Sequence, residues 1–212
     1  MKQYPNTYKY SKTFNGPRPR LIPVLLLKDG IIVRSQLFKL HQVIGNPIST
    51  VERLSSWNVD EIIILDISNN QSLHDLRRDD LQQSYKGTTA LDVLQEISKV
   101  CFMPLTFGGK IRSMVDIEAR LSLGADKVCI NSLIYQEPAL VEQAAKVYGS
   151  QCIVAGIDAL KIHDACWNVF VYSGKFNTHK DPSSCSRSVD KDFSMSLLKI
   201  DSFPLLGGKF SE

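Results

Sequence analysis

Several short apolar runs of the sequence end in residues that can do chemistry. Carboxylates, an amide and a hydroxyl are suited to proton transfer and to hydrogen bonding with a substrate. Paired glycines let backbone N–H groups approach an anion such as a phosphate. The residues at the ends of these runs are Asp66, Gly108, Gly109, Asn131, Ser132 and Asp158. We therefore predict acid–base chemistry on a substrate that carries an anionic group.

Each of these residues also has a plainer interpretation that the sequence leaves open. Asp158 and Asp66 are equally suited to capping a helix or anchoring a loop, and Asn131 and Ser132 to capping a helix. The Gly108–Gly109 pair is typical of an ordinary tight turn. The chemical interpretation depends on whether the fold brings these residues together.

The apolar runs alternate with amphipathic segments, which indicates βα units and a parallel sheet. In such architectures the carboxyl ends of the strands meet at one edge, where ligands bind. An internal echo, NVDEIIILDIS and GADKVCINS, places Asp60 and Asp126 at matching positions, 126 − 60 = 66 residues apart. A repeat of this kind favours a (β/α)8 barrel over a doubly wound sheet.

The βα pattern divides the chain into three regions. Residues 1–19 are predicted to be an N-terminal arm, 20–175 to hold barrel units one to five, and 176–212 to be a degenerate remnant with a weak apolar grouping, MSLLKI. A full (β/α)8 barrel takes about 250 residues. The predicted fold class is thus α/β, of the (β/α)8 barrel family, incomplete after about strand five.

Composition narrows the function classes. A formal net charge of +3 over 212 residues gives no electrostatic footprint for nucleic acid or a membrane surface. No segment approaches membrane-spanning length, and the N-terminus lacks an apolar signal region. The five cysteines show no zinc-type spacing and no disulfide framework. We expect a cytoplasmic protein without a metal or cofactor.

Six ordered blocks between residue 20 and about residue 178 carry a resemblance to a known family. They are RLIPVLLLKDG, NVDEIIILDI, FMPLTFGG, GADKVCINS, YGSQCIVAGIDA and VFVYSGKFNT. Together they resemble the cyclase subunit of imidazole glycerol phosphate synthase, the HisF-like family. The resemblance implies a (β/α)8 barrel that receives ammonia from a glutaminase (HisH-like) partner and uses it at the carboxyl ends of the strands.

The resemblance also implies roles for single residues. Of the family's two catalytic aspartates, one matches Asp158, whereas the other falls on Leu26, which cannot transfer a proton. The substrate and phosphate set is implied to be Gly108, Gly109, Asn131, Ser132, Asp66 and Arg34, with Lys110 in place of the family's third glycine. The ammonia gate and partner interface are implied to be Arg20, Glu61, Lys127 and Asp126. A second phosphate site has only Gly207–Gly208 as a hint.

The form LLLKDG of the first strand resembles a paralogous branch found with surface-polysaccharide genes. That branch implies amidation of a sugar, with a small phosphorylated or nucleotide-sugar substrate. Three hypotheses follow: a synthase subunit of a glutamine-dependent amidotransferase, a non-catalytic barrel that docks on a glutaminase, and a truncated, non-functional product.

Overall fold

The computed structural model describes residues 19–36, 40–68, 89–163, 166–172, 174–184 and 196–201. Most of the predicted N-terminal arm, the polar stretch at 69–88 and Gly207–Gly208 lie outside these residues. The strands are β1 (Val24–Lys28), β2 (Ile31–Gln36), β3 (Leu40–Gly45), β4 (Ile62–Asp66), β5 (Leu105–Gly108), β6 (Lys127–Ile130), β7 (Ile153–His163), β8 (Cys166–Val171), β9 (Phe176–Asn177) and β10 (Ser196–Asp201). The α-helices are α1 (Pro47–Ser56), α2 (Ala90–Ser98), α3 (Met114–Ser122), α4 (Ser132–Gln136) and α5 (Pro138–Tyr148).

One sheet contains all of these strands, and its centre is parallel. The parallel pairs run in the order β1, β4, β5, β6, β7 and β10. Their carboxyl ends therefore lie at the same edge, as the alternating pattern predicts. The predicted α/β architecture of the barrel family is confirmed.

A sixth parallel strand extends the five that the sequence pattern predicts. The weak grouping MSLLKI contributes β10, which pairs with β7 so that Ile200 lies opposite Asp158. The first strand is shorter than its apolar run, because Leu21–Pro23 precede the β1 ladder. The part of the chain that is described thus carries barrel strands one to five and one further strand beside the fifth.

The helices pack on one face of the parallel strands. Ile62 and Ile64 of β4, Phe107 of β5 and Ile97 of α2 are fully buried in one core cluster. Burying each such side chain stabilises the fold by about 1.5–3 kcal/mol. Helix α2 begins at a capping box, in which Thr89 and Asp92 satisfy each other's backbone N–H groups. None of the described helices is long and apolar enough to cross a membrane.

Antiparallel hairpins follow the first and the fifth parallel strands. β2 and β3 fold back on β1 through Asp29 and Gly30, whose φ angles of 50° and 81° suit a tight hairpin turn. β8 and β9 fold back on β7, which continues past Asp158 to His163. Both hairpins begin at the carboxyl edge, so they border the predicted site.

Asp60 and Asp126 make the same two hydrogen bonds at the amino ends of the strands. The N–H of Asp60 donates to Leu21 O at 3.0 Å, and Asp60 Oδ2 accepts from Leu21 N at 2.7 Å. The N–H of Asp126 donates to Leu105 O at 2.9 Å, and Asp126 Oδ2 accepts from Leu105 N at 2.8 Å. The internal echo of the sequence is therefore a structural repeat that ties β1 to β4 and β5 to β6.

Candidate functional site

The face of the sheet opposite the helices, here called the inner face, carries most of the predicted site residues. Successive side chains of a strand point to opposite faces. Since Ile62, Ile64 and Phe107 face the helices, Glu61 and Thr106 lie on the inner face. Asp158 lies there too, two residues beyond Gly156, which packs against Cys129 and Asn131. Glu61 is at the amino end of its strand and Asp158 at the carboxyl edge.

Asp158 is held in an environment that suits proton transfer near neutral pH. Burial raises the pKa of this carboxyl to about 6, although a hydrogen bond from the Asn131 side chain favours the charged form. A group whose pKa lies near the working pH is an efficient general acid or base. Burial, and then the charge of Asp158, raise the pKa of the neighbouring Cys129 thiol to about 12, so this cysteine stays protonated. Asp158 and Asn131 therefore come together as the sequence predicts.

Leu26 occupies the inner face of β1, where the resemblance implies a second catalytic aspartate. It lies opposite Leu65 of β4 and Val33 of β2. The half-buried isobutyl group packs between two apolar strands and offers no proton. Of the two positions at which the resemblance implies a catalytic aspartate, that of Asp158 alone carries a carboxyl group.

The glycine turn after β5 is built around backbone that leaves no room for side chains. A Cβ on Gly109 would lie 2.1 Å from the carbonyl oxygen of Asp66, and one on Gly108 would lie 2.8 Å from Cys129. Gly109 has φ 99° and Lys110 has φ 54°, in the left-handed region that favours glycine. A lysine therefore stands in a backbone conformation suited to the family's third glycine, and it adds a positive charge to the turn.

Asp66 anchors the loop beside that turn. Its side chain is 3% exposed and accepts from Ser68 N at 3.0 Å and from Ser68 Oγ at 2.6 Å. Lys110 Nζ lies 3.6 Å from Asp66 Oδ2. The loop-anchoring interpretation of Asp66 fits these contacts, and the ion pair fixes Lys110 at the mouth of the turn.

Arg120 of α3 binds the backbone of the glycine turn, and sequence reasoning missed this residue. Its guanidinium donates to the Gly109 carbonyl at 2.8 Å and to the Asp116 carbonyl at 2.7 Å, and the residue is 5% exposed. Burial lowers its pKa, while Asp116 and Asp66 act in the opposite direction. The available signal was its position three residues after Ile117, on the buried face of α3.

Ser132 and Arg34, both assigned to the substrate set, lie in different surroundings. Ser132 begins α4, and its hydroxyl accepts from Tyr172 N at 3.1 Å, which ties the β8–β9 hairpin to the end of β6. Arg34 is exposed on β2, on the same face of the strand as Ile32, which packs against the helices. The structure therefore brings Ser132 to the Asp158 side, next to Asn131, and leaves Arg34 apart from it.

An amino-end cluster of Arg20, Glu61, Thr106 and Lys127 occupies the other end of the inner face. Arg20 Nη2 lies 2.8 Å from Glu61 Oε2, and Lys127 Nζ lies 3.0 and 3.1 Å from the two carboxylate oxygens. Thr106 Oγ1 donates to Glu61 Oε1 at 2.9 Å. Burial alone would raise the pKa of Glu61, but the hydrogen bonds from Lys127, Thr106 and Arg20 lower it overall. The three predicted gate residues therefore do meet, around a carboxylate that is 6% exposed.

Large apolar side chains are exposed in the segments that lead into the amino ends of the strands. Leu21 precedes β1, Trp57 lies between α1 and β4, and Phe102 lies between α2 and β5. Their exposed fractions are 63%, 66% and 90%. Apolar residues exposed singly are common on protein surfaces, whereas a contiguous apolar patch is typical of a protein interface.

Comparisons with known proteins agree with this architecture. A family model described as histidine biosynthesis protein matches residues 20–201. Similar curated proteins include the imidazole glycerol phosphate synthase subunit HisF of Bacillus cereus, which is 37% identical over 172 residues, covering 81% of this chain and 63% of that protein. The HisF subunits of Campylobacter concisus and a Hydrogenobaculum species are 37% and 34% identical over 171 residues, covering 81% of this chain and 62% and 63% of theirs.

The chain spans less than two thirds of the length of these curated relatives. The matched residues run from the amino-end cluster at Arg20 to the last residue of β10, Asp201. The resemblance carried by the six sequence blocks is confirmed. The chain belongs to the histidine biosynthesis protein family and is similar to its HisF subunits.

Proposed function

We propose that this chain is an ammonia-accepting synthase subunit of a glutamine-dependent amidotransferase that amidates a sugar. The observation that carries the proposal is the arrangement of two buried carboxyl groups on one inner face. Glu61 is clamped by cations at the amino end, and Asp158, with a pKa of about 6, lies at the carboxyl edge. Ammonia that enters beside Glu61 at the amino end would react beside Asp158 at the carboxyl edge.

The amino-end cluster suits a gate for ammonia. Glu61 keeps its charge at neutral pH because Lys127, Thr106 and Arg20 stabilise the carboxylate. The inner face beyond it includes Ile63 and Val154, which are 4% and 5% exposed. An apolar lining favours neutral ammonia over ammonium, since burying an unpaired charge is costly.

The carboxyl edge suits the amidation step. Asp158 would take a proton from the attacking nitrogen or give one to a departing oxygen, and Asn131 would orient its carboxyl group. The Gly108–Gly109 turn and Lys110 would hold an anionic group of a phosphorylated or nucleotide-linked sugar. Leu26 argues against closure of an imidazole ring, for which the family resemblance implies two aspartates.

The exposed apolar residues at the amino ends suit a glutaminase partner. Leu21, Trp57 and Phe102 lie in the segments that lead into the amino ends of β1, β4 and β5, the end of the sheet at which Glu61 lies. A partner docked there would exclude water and release ammonia directly beside Glu61. Asp126 lies at the same end, as the family resemblance implies for an interface residue.

Co-expression with a candidate glutaminase tests the proposal. We expect a stable complex and stimulated hydrolysis of glutamine, and Phe102→Ser should reduce the stimulation at least about tenfold, as loss of an interface hot spot does. Val115→Ser is the matched control, since Val115 is 71% exposed on α3 and away from the amino ends. The absence of both complex and stimulation, or equal effects of the two variants, would contradict the proposal.

Leu26 favours a second candidate, a barrel that docks on a glutaminase and activates it without catalysis. The two candidates differ in what they require of the carboxyl edge. In a reconstituted system, the double change Asp158→Asn with Asn131→Ala should abolish transfer of nitrogen to a sugar if the subunit is catalytic. Unchanged product formation together with intact glutaminase stimulation would favour the docking role.

A further inference from the structure

Three half-exposed aromatic rings meet where the β8–β9 hairpin crosses α4. Tyr135 of α4, Tyr172 at the end of β8 and Phe176 of β9 are 45%, 42% and 47% exposed. The ring centroids of Tyr135 and Phe176 are 6.2 Å apart, and those of Tyr172 and Phe176 are 6.5 Å apart. Neither buried core cluster includes these rings, and more than two fifths of each residue's surface is exposed.

The local structure holds these rings in place. Gln136 Nε2 donates to the Tyr172 hydroxyl at 2.6 Å, and Lys180 Nζ lies 5.4 Å from the centre of the Tyr135 ring. Tyr172 has φ 57°, a backbone conformation that is uncommon for an aromatic residue and that is concentrated at ligand-binding positions. The ring planes of Tyr135 and Phe176 are tilted by 49° and those of Tyr172 and Phe176 by 78°, so the rings present faces in different directions.

This cluster of three rings is connected to the carboxyl-edge site. Tyr172 N donates to Ser132 Oγ, and Ser132 directly follows Asn131, whose side chain binds Asp158. Ser132 and Asn131 therefore connect the hairpin that carries Tyr172 and Phe176 to the Asp158 carboxyl group. Lys180 places a positive charge at the rim.

We propose that Tyr135, Tyr172 and Phe176 form a stacking platform for the base of a nucleoside diphosphate, the activating group of the sugar acceptor, with Lys180 pairing with its phosphates. Every base offers a π-face to an aromatic ring, and such stacking is tolerant of base identity. The ammonium of Lys180 attracts an anionic diphosphate through its charge. The inference rests on the proposed function, because it names the class of acceptor that Asp158 would serve.

Calorimetric titration of the purified chain with uridine diphosphate tests the platform without any partner or reaction. We expect binding that weakens at least about tenfold in Phe176→Ala and in Tyr135→Leu, which keeps an apolar side chain but removes the ring. Lys180→Met should weaken uridine diphosphate but leave uridine unchanged. Val147→Ala, which trims an apolar side chain that is 60% exposed on α5, should bind like the parent chain.

Several outcomes would overturn the platform. One is that the parent chain fails to bind uridine diphosphate, and another is that it prefers free N-acetylglucosamine to the nucleotide. The third such outcome is that the ring variants melt cooperatively like the parent chain and yet bind uridine diphosphate as tightly as it does. Stimulation of a glutaminase is a separate measurement, and it tests the amino end of the sheet. Nucleotide binding without glutaminase stimulation would support the platform and contradict the amidotransferase role, and the reverse result would do the opposite.

Discussion

Lys127 donates hydrogen bonds to both carboxylate oxygens of Glu61 at 3.0 and 3.1 Å, across 66 residues of sequence. This separation equals that of Asp60 and Asp126, which close the amino ends of two strand pairs with the same hydrogen bonds. Glu61 and Lys127 thus occupy equivalent positions of an internal repeat. Because one copy of the repeat carries a glutamate at this position and the other carries a lysine, the two side chains form an ion pair on the inner face.

Lys127→Met should destabilise the fold by about 1–3 kcal/mol at pH 7, because it leaves a buried carboxylate short of a charged partner. The pKa of Glu61 is lowered in the folded state. Its stabilising contribution is therefore present above its unfolded pKa and is lost as the pH falls through the folded pKa. In urea unfolding, the free energy of unfolding of Lys127→Met should fall well below that of the parent chain at pH 7 and only slightly below it at pH 3.5.

Lys99→Met is the matched control for that loss. Lys99 pairs with Glu96 on the surface of α2, and its side chain is 58% exposed. Surface pairs contribute little, so this change should shift the free energy of unfolding by less than about 1 kcal/mol. Equal losses in the two variants, or a Lys127→Met loss that does not depend on pH, would contradict the stabilising role of the Glu61 cluster.

Asp158→Asn should stabilise the protein relative to the parent chain, and the gain should be larger at high pH than at low pH. The folded-state pKa is raised to about 6, so the folded chain resists ionising this group, and stability falls as the pH rises from about 4 through 6. Asparagine cannot ionise, so the variant should gain about 2–3 kcal/mol over the parent chain between pH 4 and pH 8. Melting temperatures measured across this range check the prediction.

Asp116→Asn supplies a control of opposite sign. Burial would raise the pKa of Asp116, but hydrogen bonds with Arg112 and Ser113 lower it overall. This variant should therefore lose stability relative to the parent chain as the pH rises from the lowered folded-state pKa to about 4, and the loss should stay constant at higher pH. If both variants respond to pH in the same direction, the environment assigned to Asp158 is wrong.

The parallel strands and their helices could be predicted from sequence because burial leaves a periodic record. Of the hairpin strands, β2 could be predicted from the apolar start of IIVRSQLF after the Asp-Gly turn, whereas the others have mixed residues and many exposed positions. Lys161–His163 continue β7, and they are exposed. β3 alternates between exposed and half-buried positions and was not predicted. β10 has only a weak apolar grouping between polar stretches.

The candidate site was predictable only in part, for a similar reason. Asn131 directly follows a buried strand, Glu61 directly precedes one, and Asp158 lies near the end of the buried part of β7, and a sequence pattern locates such positions. The contact between Arg120 and the Gly109 carbonyl depends on the reach of a long side chain from a neighbouring helix. The aromatic rings come from segments 37 or more residues apart, Tyr135 and the β8–β9 hairpin, with Tyr172 N bound to Ser132 Oγ across 40 residues. No local pattern encodes such a meeting.

Gly109→Ala should destabilise the fold by roughly 2–4 kcal/mol, because a methyl group would collide with the backbone of Asp66 and sit at a positive φ. Gly45→Ala is the control, since the nearest atom to its new Cβ would be Thr50 Oγ1 at 3.8 Å. That change should stay within about 0.5 kcal/mol of the parent chain. Urea unfolding of the two variants checks the difference, and equal effects would show that the turn adapts to a side chain.

Asp126→Ala and Asp60→Ala should destabilise the fold by similar amounts, about 0.5–1.5 kcal/mol each, because each removes one hydrogen bond to the neighbouring strand. Asp126→Asn and Asp60→Asn should be milder, since an amide oxygen still accepts from the backbone N–H of Leu105 or Leu21. Urea unfolding of the four variants checks this ranking, and losses as large for asparagine as for alanine would show that the charge is what matters.

The asparagine variants also separate stability from docking. If Asp126 faces a glutaminase, Asp126→Asn should weaken the complex while the fold keeps most of its stability. An unchanged complex would confine Asp126 to the hydrogen bonds of the internal repeat.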